Sequence, residues 1–132
     1  LRYFNVYGPR EPIKGKYAPV VGLFKRQSAA GDPMTIVGDG TQRRDFTYID
    51  DVVAANISAM NASNDIGNFK IYNVGTGINY SINEIADMIG GEKAYIDKRP
   101  AEVHETLADI TETVNDLNWR PLKSLEEAIN SY

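Results

Sequence analysis

The sequence predicts an α/β fold built on a small sheet, and three observations lead there. Short apolar stretches of strand character, Met34 to Val37, Ile71 to Val74 and Ala94 to Asp97, alternate with segments whose apolar residues recur every three or four positions. Two Ser-x-x-Glu capping boxes, Ser81 to Glu84 and Ser124 to Glu127, mark helix starts. Glycine-containing turns close the elements between them. The strands are few and short, too little for an open parallel sheet covered on both faces.

Each element can be justified in order. Leu1 to Val6 alternates and branches like a buried strand, then breaks at Tyr7-Gly8-Pro9. A strand of that kind needs neighbours on both sides, so it is expected to be an interior strand of a larger sheet. A polar loop with Lys14 and Lys16 leads to Pro19, which suits the first turn of a helix with Val20, Val21, Leu23 and Phe24 as its apolar face. Gly31-Asp32-Pro33 stops that helix. Met34 to Val37 is a strand ending at Gly38-Asp39-Gly40, and Asp45 to Ile49 is extended, with Phe46 and Tyr48 on one face. Asp50 is the expected N-cap of a helix with the apolar stripe Val53, Ile57 and Met60 at i, i+4 and i+7. Ile71 to Val74 is a strand closed by Gly75-Thr76-Gly77. The first capping box then starts a helix with Ile82, Ile85, Ala86 and Ile89 inward, ended by Gly90-Gly91. After the strand Ala94 to Asp97, Thr111 opens a short helix with Val114 and Leu117, and the second capping box starts a last one with Leu125, Ala128 and Ile129.

Composition narrows the function classes. The 132 residues are 42% hydrophobic and 24% charged, the profile of one globular domain, with a net charge of −4 that argues against a general nucleic-acid surface. There is no cysteine and a single histidine, His104, so neither a thiolate nor a histidine metal site is expected. No apolar run approaches a membrane span and no leader is legible, so a cytoplasmic location is the expectation. The triplets Asn56-Ile-Ser58, Asn61-Ala-Ser63 and Asn79-Tyr-Ser81 are read as chance matches to a glycosylation signal.

Catalytic constellations are missing. Gly75-Thr-Gly77 lacks the third glycine of a dinucleotide turn, Gly38-Asp-Gly40 leads to an arginine pair rather than a helix, and there is no phosphate loop or serine elbow. The carboxylates have the spacing of helix caps and solvated faces. Three polar residues sit instead at element ends, where α/β sheets place ligand groups: Asn5, Arg44 after a glycine turn, and Arg99 beside Pro100. Guanidinium forks suit phosphate oxygens.

Four ordered segments carry a resemblance across nearly the whole chain. Arg2-Tyr-Phe-Asn-Val-Tyr-Gly-Pro-Arg10, Val37-Gly-Asp-Gly-Thr-Gln-Arg-Arg-Asp-Phe-Thr-Tyr-Ile-Asp-Asp-Val-Val53, Tyr72-Asn-Val-Gly-Thr-Gly77, and Arg99-Pro-Ala-Glu102 running through Ala108-Asp109 to Leu117-Asn-Trp-Arg-Pro121 resemble the carboxyl-terminal portion of the NAD-dependent nucleotide-sugar epimerases and dehydratases, the extended short-chain dehydrogenase/reductases. The loop Gly15 to Val20 is most like UDP-hexose or UDP-N-acetylhexosamine 4-epimerases, while Arg10-Glu11 and Lys14-Gly15 also resemble heptose-nucleotide epimerases. The resemblance implies that residues 1–132 are a substrate-binding half whose first strand belongs to a Rossmann-type, NAD-binding half not contained in the chain.

The same resemblance implies the site. Asn5, Arg44 and Arg99 match residues that hold the substrate diphosphate, Glu102 matches a carboxylate on the ribose hydroxyls, and Val20, Phe24, Thr35 and Val37 match the lining of the base and ribose pocket. Tyr3 matches a contact to the nicotinamide end of NAD. No tyrosine here has a lysine four positions on, so the family's Tyr-x-x-x-Lys is absent and no catalytic residue is expected. NAD is implied for the complete enzyme, with none expected on this chain alone. The expected partners are a nucleotide sugar, the NAD-binding half in cis or in trans and further copies of the chain, with no nucleic acid and no membrane. The alternatives are a structural or interaction module that binds weakly or not at all, or the substrate half of a 4,6-dehydratase, a decarboxylase or a heptose-nucleotide epimerase.

Overall fold

A computed structural model describes residues 1–15, 18–62, 70–98, 100 and 102–132. In chain order the elements are β1 (Arg2–Tyr3), β2 (Val6–Tyr7), α1 (Val20–Ala30), β3 (Met34–Val37), β4 (Arg43–Asp45), β5 (Thr47–Tyr48), α2 (Ile49–Asn61), β6 (Asn73–Val74), β7 (Asn79–Ser81), α3 (Ile82–Ile89), β8 (Lys93–Ile96), α4 (Thr111–Leu117) and α5 (Leu125–Ile129). The α/β class is as expected, and the strands form four separate pairs. β1–β6, β2–β5 and β3–β8 are parallel, and β4–β7 is antiparallel.

The opening segment is not one buried strand. Asn5 adopts a φ of +31°, a left-handed conformation that asparagine tolerates, and this splits the segment into β1 and β2. Tyr7 is buried, whereas Leu1 and Tyr3 are 41% and 47% exposed. The extended piece around Phe46 is likewise two strands, β4 and β5, though Phe46 and Tyr48 do pack together, both edge-on to Tyr7.

Helix α1 ends as expected, with Gly31 left-handed at φ +74° and the Asp32 N–H returning to Gln27 O at 2.9 Å. Both capping boxes form: Ser81 and Glu84 exchange bonds at the start of α3, and Ser124 and Glu127 do so at α5. The expectation for α2 needs two corrections. Tyr48, not Asp50, occupies the N-cap position. The stripe Val53, Ile57 and Met60 faces outward at 51%, 54% and 84% exposure, and the helix packs by Val52, Ala55 and Ala59 instead. Both stripes have helical spacing, so periodicity alone does not choose between them. The choice is made by Asp51, whose buried carboxylate accepts from the Leu122 and Lys123 N–H groups while its carbonyl accepts from Trp119 Nε1. This turns the neighbouring Val52 face inward.

Two cores result. Phe24, Met34, Ile36, Ile85 and Ala128 fill the space between α1, α3, α5 and β3, and Val52, Ala55, Val74, Leu117 and Trp119 fill a smaller one under α2. Between them lies Asp45, fully buried. Its Oδ1 accepts from Thr76 N–H at 2.8 Å and Thr76 Oγ1 at 2.7 Å, and its Oδ2 accepts from Gly77 N–H at 2.9 Å and Ala108 N–H at 3.1 Å. Gly75 keeps this approach open, since a Cβ there would lie 2.9 Å from Asp45 Oδ2 and against the Ala108 methyl. Among the described residues no helix is long and apolar enough to cross a membrane.

Asp45→Ala strands three N–H groups and a hydroxyl at once, so it is expected to lower unfolding free energy by about 3 kcal/mol or more. A urea titration reads this as a lower midpoint, and a shift worth under about 1 kcal/mol would show that the carboxylate is dispensable.

Candidate functional site

A cavity of about 600 Å³ opens between β3, β4, the start of α1 and the loop before it. Its polar lining is Asn5, Thr35, Gln42, Arg44 and Glu102, and its apolar lining includes Val6, Val20, Leu23, Val37, Phe46, Ile82 and Ile96. Ile13, Gly15, Ala18 and Pro19 close one side. Such a mix of apolar walls and a few convergent polar groups is what a small-molecule site requires.

Strand alternation places the arginine. Arg43 and Arg44 are adjacent on β4 and must point to opposite faces. Arg43 is committed to structure: its Nε and Nη2 donate to the Asn79 side chain and carbonyl, both at 2.8 Å, and its Nη1 is 2.9 Å from Glu84 Oε2. Arg44 turns into the cavity beside Phe46, two positions on. Its Nη1 donates to Arg43 O at 2.8 Å and His104 O at 3.2 Å, and its Nη2 lies 3.7 Å from Glu102 Oε1. The guanidinium is thus anchored by two carbonyls at one nitrogen, with Glu102 beyond the range of a strong bond at another.

The left-handed turn at Asn5 aims its side chain at the cavity floor. There Nδ2 donates to Asp45 O at 2.6 Å and, at 3.4 Å, to Thr106 Oγ1. Thr35 is tied to α1, its N–H donating to Gln27 Oε1 at 3.1 Å and its Oγ1 accepting from Gln27 Nε2 at 3.0 Å. Gln42 Nε2 donates to Val37 O at 2.9 Å and so fixes the end of β3.

Of the nine residues expected from the sequence, six line this one cavity: Asn5, Val20, Thr35, Val37, Arg44 and Glu102. Phe24 does not. It is fully buried in the larger core, and Leu23, three positions from Val20 on the same helical face, takes the lining position. Tyr3 also lies elsewhere, its hydroxyl donating to Asn56 Oδ1 at 3.0 Å on the exposed flank of α2. Arg99 lies outside the described residues. Phe46, Gln42 and Ile82 were not anticipated; period-two alternation from Arg44 would have found Phe46.

The model of the NAD dependent epimerase/dehydratase family matches residues 1–75. The chain belongs to that family. UDP-glucuronate 4-epimerase of Thermodesulfobacterium geofontis is 38% identical over 137 residues, covering 98% of this chain and 40% of that protein. The structure superposes on UDP-glucose 4-epimerase of Thermotoga maritima, solved with UDP-glucose, with a TM-score of 0.88 at 36% identity, over 97% of this chain and 42% of the other. UDP-glucuronic acid 4-epimerase from Bacillus cereus, solved with UDP-glucuronic acid and NAD, gives 0.88 at 32% identity over 98% and 42%. The chain therefore spans about two fifths of the length of these relatives, and its small α/β fold is that of part of an extended short-chain dehydrogenase/reductase.

The sequence contains no glycine-rich dinucleotide turn, and Tyr3, which the resemblance matches to a nicotinamide contact, donates to Asn56 on α2. Among the described residues the cavity lining contains no histidine, lysine, tyrosine or serine, and Glu102 is its one carboxylate.

The separation of core from lining is open to test. Phe24→Ala is expected to cost about 3–5 kcal/mol in urea unfolding. A loss below about 1 kcal/mol would place the ring at the cavity instead.

Proposed function

We propose that this chain is the nucleotide-sugar-binding part of an NAD-dependent sugar-nucleotide 4-epimerase, that its ligand is a UDP-sugar, and that turnover needs the portion of its relatives that it does not span. The observation that carries this reading is a cavity into which four separated segments bring Asn5, Thr35, Val37, Arg44 and Glu102 together. Relatives solved with UDP-glucose or with UDP-glucuronic acid and NAD support the choice of ligand. A cytoplasmic location goes with it.

In this reading Arg44, anchored at one nitrogen, turns Nη2 from Glu102 to a diphosphate oxygen, and Arg99 supplies the second cation. Asn5 offers Nδ2 by giving up its long bond to Thr106 Oγ1. Glu102, acceptor-only when ionised, takes the ribose hydroxyls. Val20, Leu23 and Val37 bury the base and ribose. These groups hold the diphosphate while the sugar is free to turn, so their contribution is positioning. NAD, in the complete enzyme, would supply hydride transfer from outside this chain.

A thermal-shift series with UDP, dTDP, GDP and ADP tests the reading, with UDP expected to raise the melting temperature most. Arg44→Ala is expected to weaken UDP about tenfold or more, since a charge-assisted bond contributes roughly 1.5–3 kcal/mol. Silence with all four nucleotides, or an unchanged UDP response in the variant, would reject the diphosphate assignment.

The exposed stripe Val53, Ile57 and Met60 is joined to Tyr3 through Asn56, and together they form an apolar flank that favours a covering partner. The reading assigns that cover to the unspanned portion of the enzyme, or to a second copy when the chain is alone. Sedimentation velocity over a wide dilution range is expected to show association that Ile57→Glu reduces. A monodisperse monomer at every concentration would count against a covered face.

A further inference from the structure

The cavity is closed on one side by chain that belongs to no regular element: Ile13 and Gly15 line it from the segment that follows the Gly8-Pro9 break. That segment has a single buried anchor in Glu11, whose side chain is 9% exposed. Glu11 Oε1 lies 3.3 Å from Arg26 Nη1 on α1, and Oε2 accepts from the Gly8 N–H at 3.5 Å. Directly beneath the carboxylate is Gly22, one turn before Arg26. Glycine inside a helix is disfavoured relative to alanine, so its presence there asks for a packing reason. The reason is visible: a Cβ at Gly22 would fall on Glu11 Oε1 and 2.9 Å from Arg26 Nη1. The missing side chain is a notch that the carboxylate fills. Burial pushes the Glu11 carboxyl up, opposed by the Gly8 N–H and by the Arg26 and Lys25 charges, as expected for a carboxylate seated in the protein.

We propose that Glu11 is a positioning residue: seated in the Gly22 notch and paired with Arg26, it pins residues 8–15 to α1 and so fixes one wall of the nucleotide cavity. The same helix contributes Val20 and Leu23 to the lining, so the notch joins helix and loop into one unit of the cavity. The consequence for binding rests on the nucleotide reading of the cavity, whereas the latch itself does not.

Lys14, exposed in the pinned segment, provides a readout independent of any ligand. Limited trypsin digestion of the chain is expected to cut after Lys14 several-fold faster in Gly22→Ala and Glu11→Ala than in the wild type. UDP should bind both variants roughly three- to tenfold more weakly, because a wall residue or two must be ordered on binding. Glu11→Gln, which keeps an acceptor for Arg26, should restore most of the protection. The double variant should be no worse than Glu11→Ala, since the added methyl then enters vacated space. If Gly22→Ala fails to fold, Glu11→Ala decides, its helix being untouched. Unchanged cleavage overturns the latch. Faster cleavage with unaltered UDP affinity overturns its role at the cavity. If the wild type binds no UDP, the proposed function fails and the cleavage rates alone judge the latch.

Discussion

One buried carboxylate organises the region around the cavity. Asp45 accepts four hydrogen bonds, from Thr76, Gly77 and Ala108, and so ties β4 to two stretches of chain that are remote in sequence. A carboxylate suits this position because it is acceptor-only and can take two donors at each oxygen. Burying its charge is tolerable only because its acceptor sites are filled. The turn at Gly75-Thr76-Gly77 and the segment around Ala108 have few ladder bonds of their own, so their backbone donors find partners here instead. Asp51 repeats the device in the first turn of α2, holding Leu122 and Lys123 against that helix.

The cavity follows from the same strand. Because Asp45 points inward, its neighbours Arg44 and Phe46 must point the other way, and that other way is the cavity. Arg43, on the face shared with Asp45, is free to brace Asn79 and Glu84. The division of labour within Arg43-Arg44 is thus a matter of strand parity, and no difference in chemistry between the two side chains is involved.

Local signals in the sequence were legible and long-range ones were not. The two capping boxes, the glycine stop of α1 and the strand Met34–Val37 appear where they were read, since each depends on residues within a few positions. β7 was missed because three residues ahead of a cap carry little pattern. On α2 the larger apolar residues Val53, Ile57 and Met60 dominate the pattern, while packing within the chain is made by Val52 and two alanines that allow a close approach. Reading the carboxylates as caps and solvated faces fails at Asp45 and Asp51, both buried, since their partners are backbone N–H groups that no spacing rule reveals. The cavity-lining residues Asn5, Arg44 and Glu102 are reachable from the sequence as element-end or motif positions. Leu23 rather than Phe24 was not, because adjacent apolar residues on a helix separate into lining and core only when the neighbouring elements are in place.

The distance between the proposed diphosphate and ribose groups is set without reference to either ligand. On one edge β4 pairs with β7; on its other edge the segment 104–106 runs alongside it, Arg43 N–H donating to His104 O, Asp45 N–H to Thr106 O, and Thr106 N–H returning to Arg43 O. That short parallel run starts two residues after Glu102 and ends two residues before Ala108, which Asp45 holds. The carboxylate therefore fixes the far end of a ladder whose near end carries Glu102 to within 3.7 Å of Arg44. Arg44 leans on the His104 carbonyl of that same run. Both ligand groups ride on one hydrogen-bonded unit, so their spacing is inherited from the backbone register rather than from flexible side chains, which is the preorganisation that positioning a rotating sugar by its diphosphate would require.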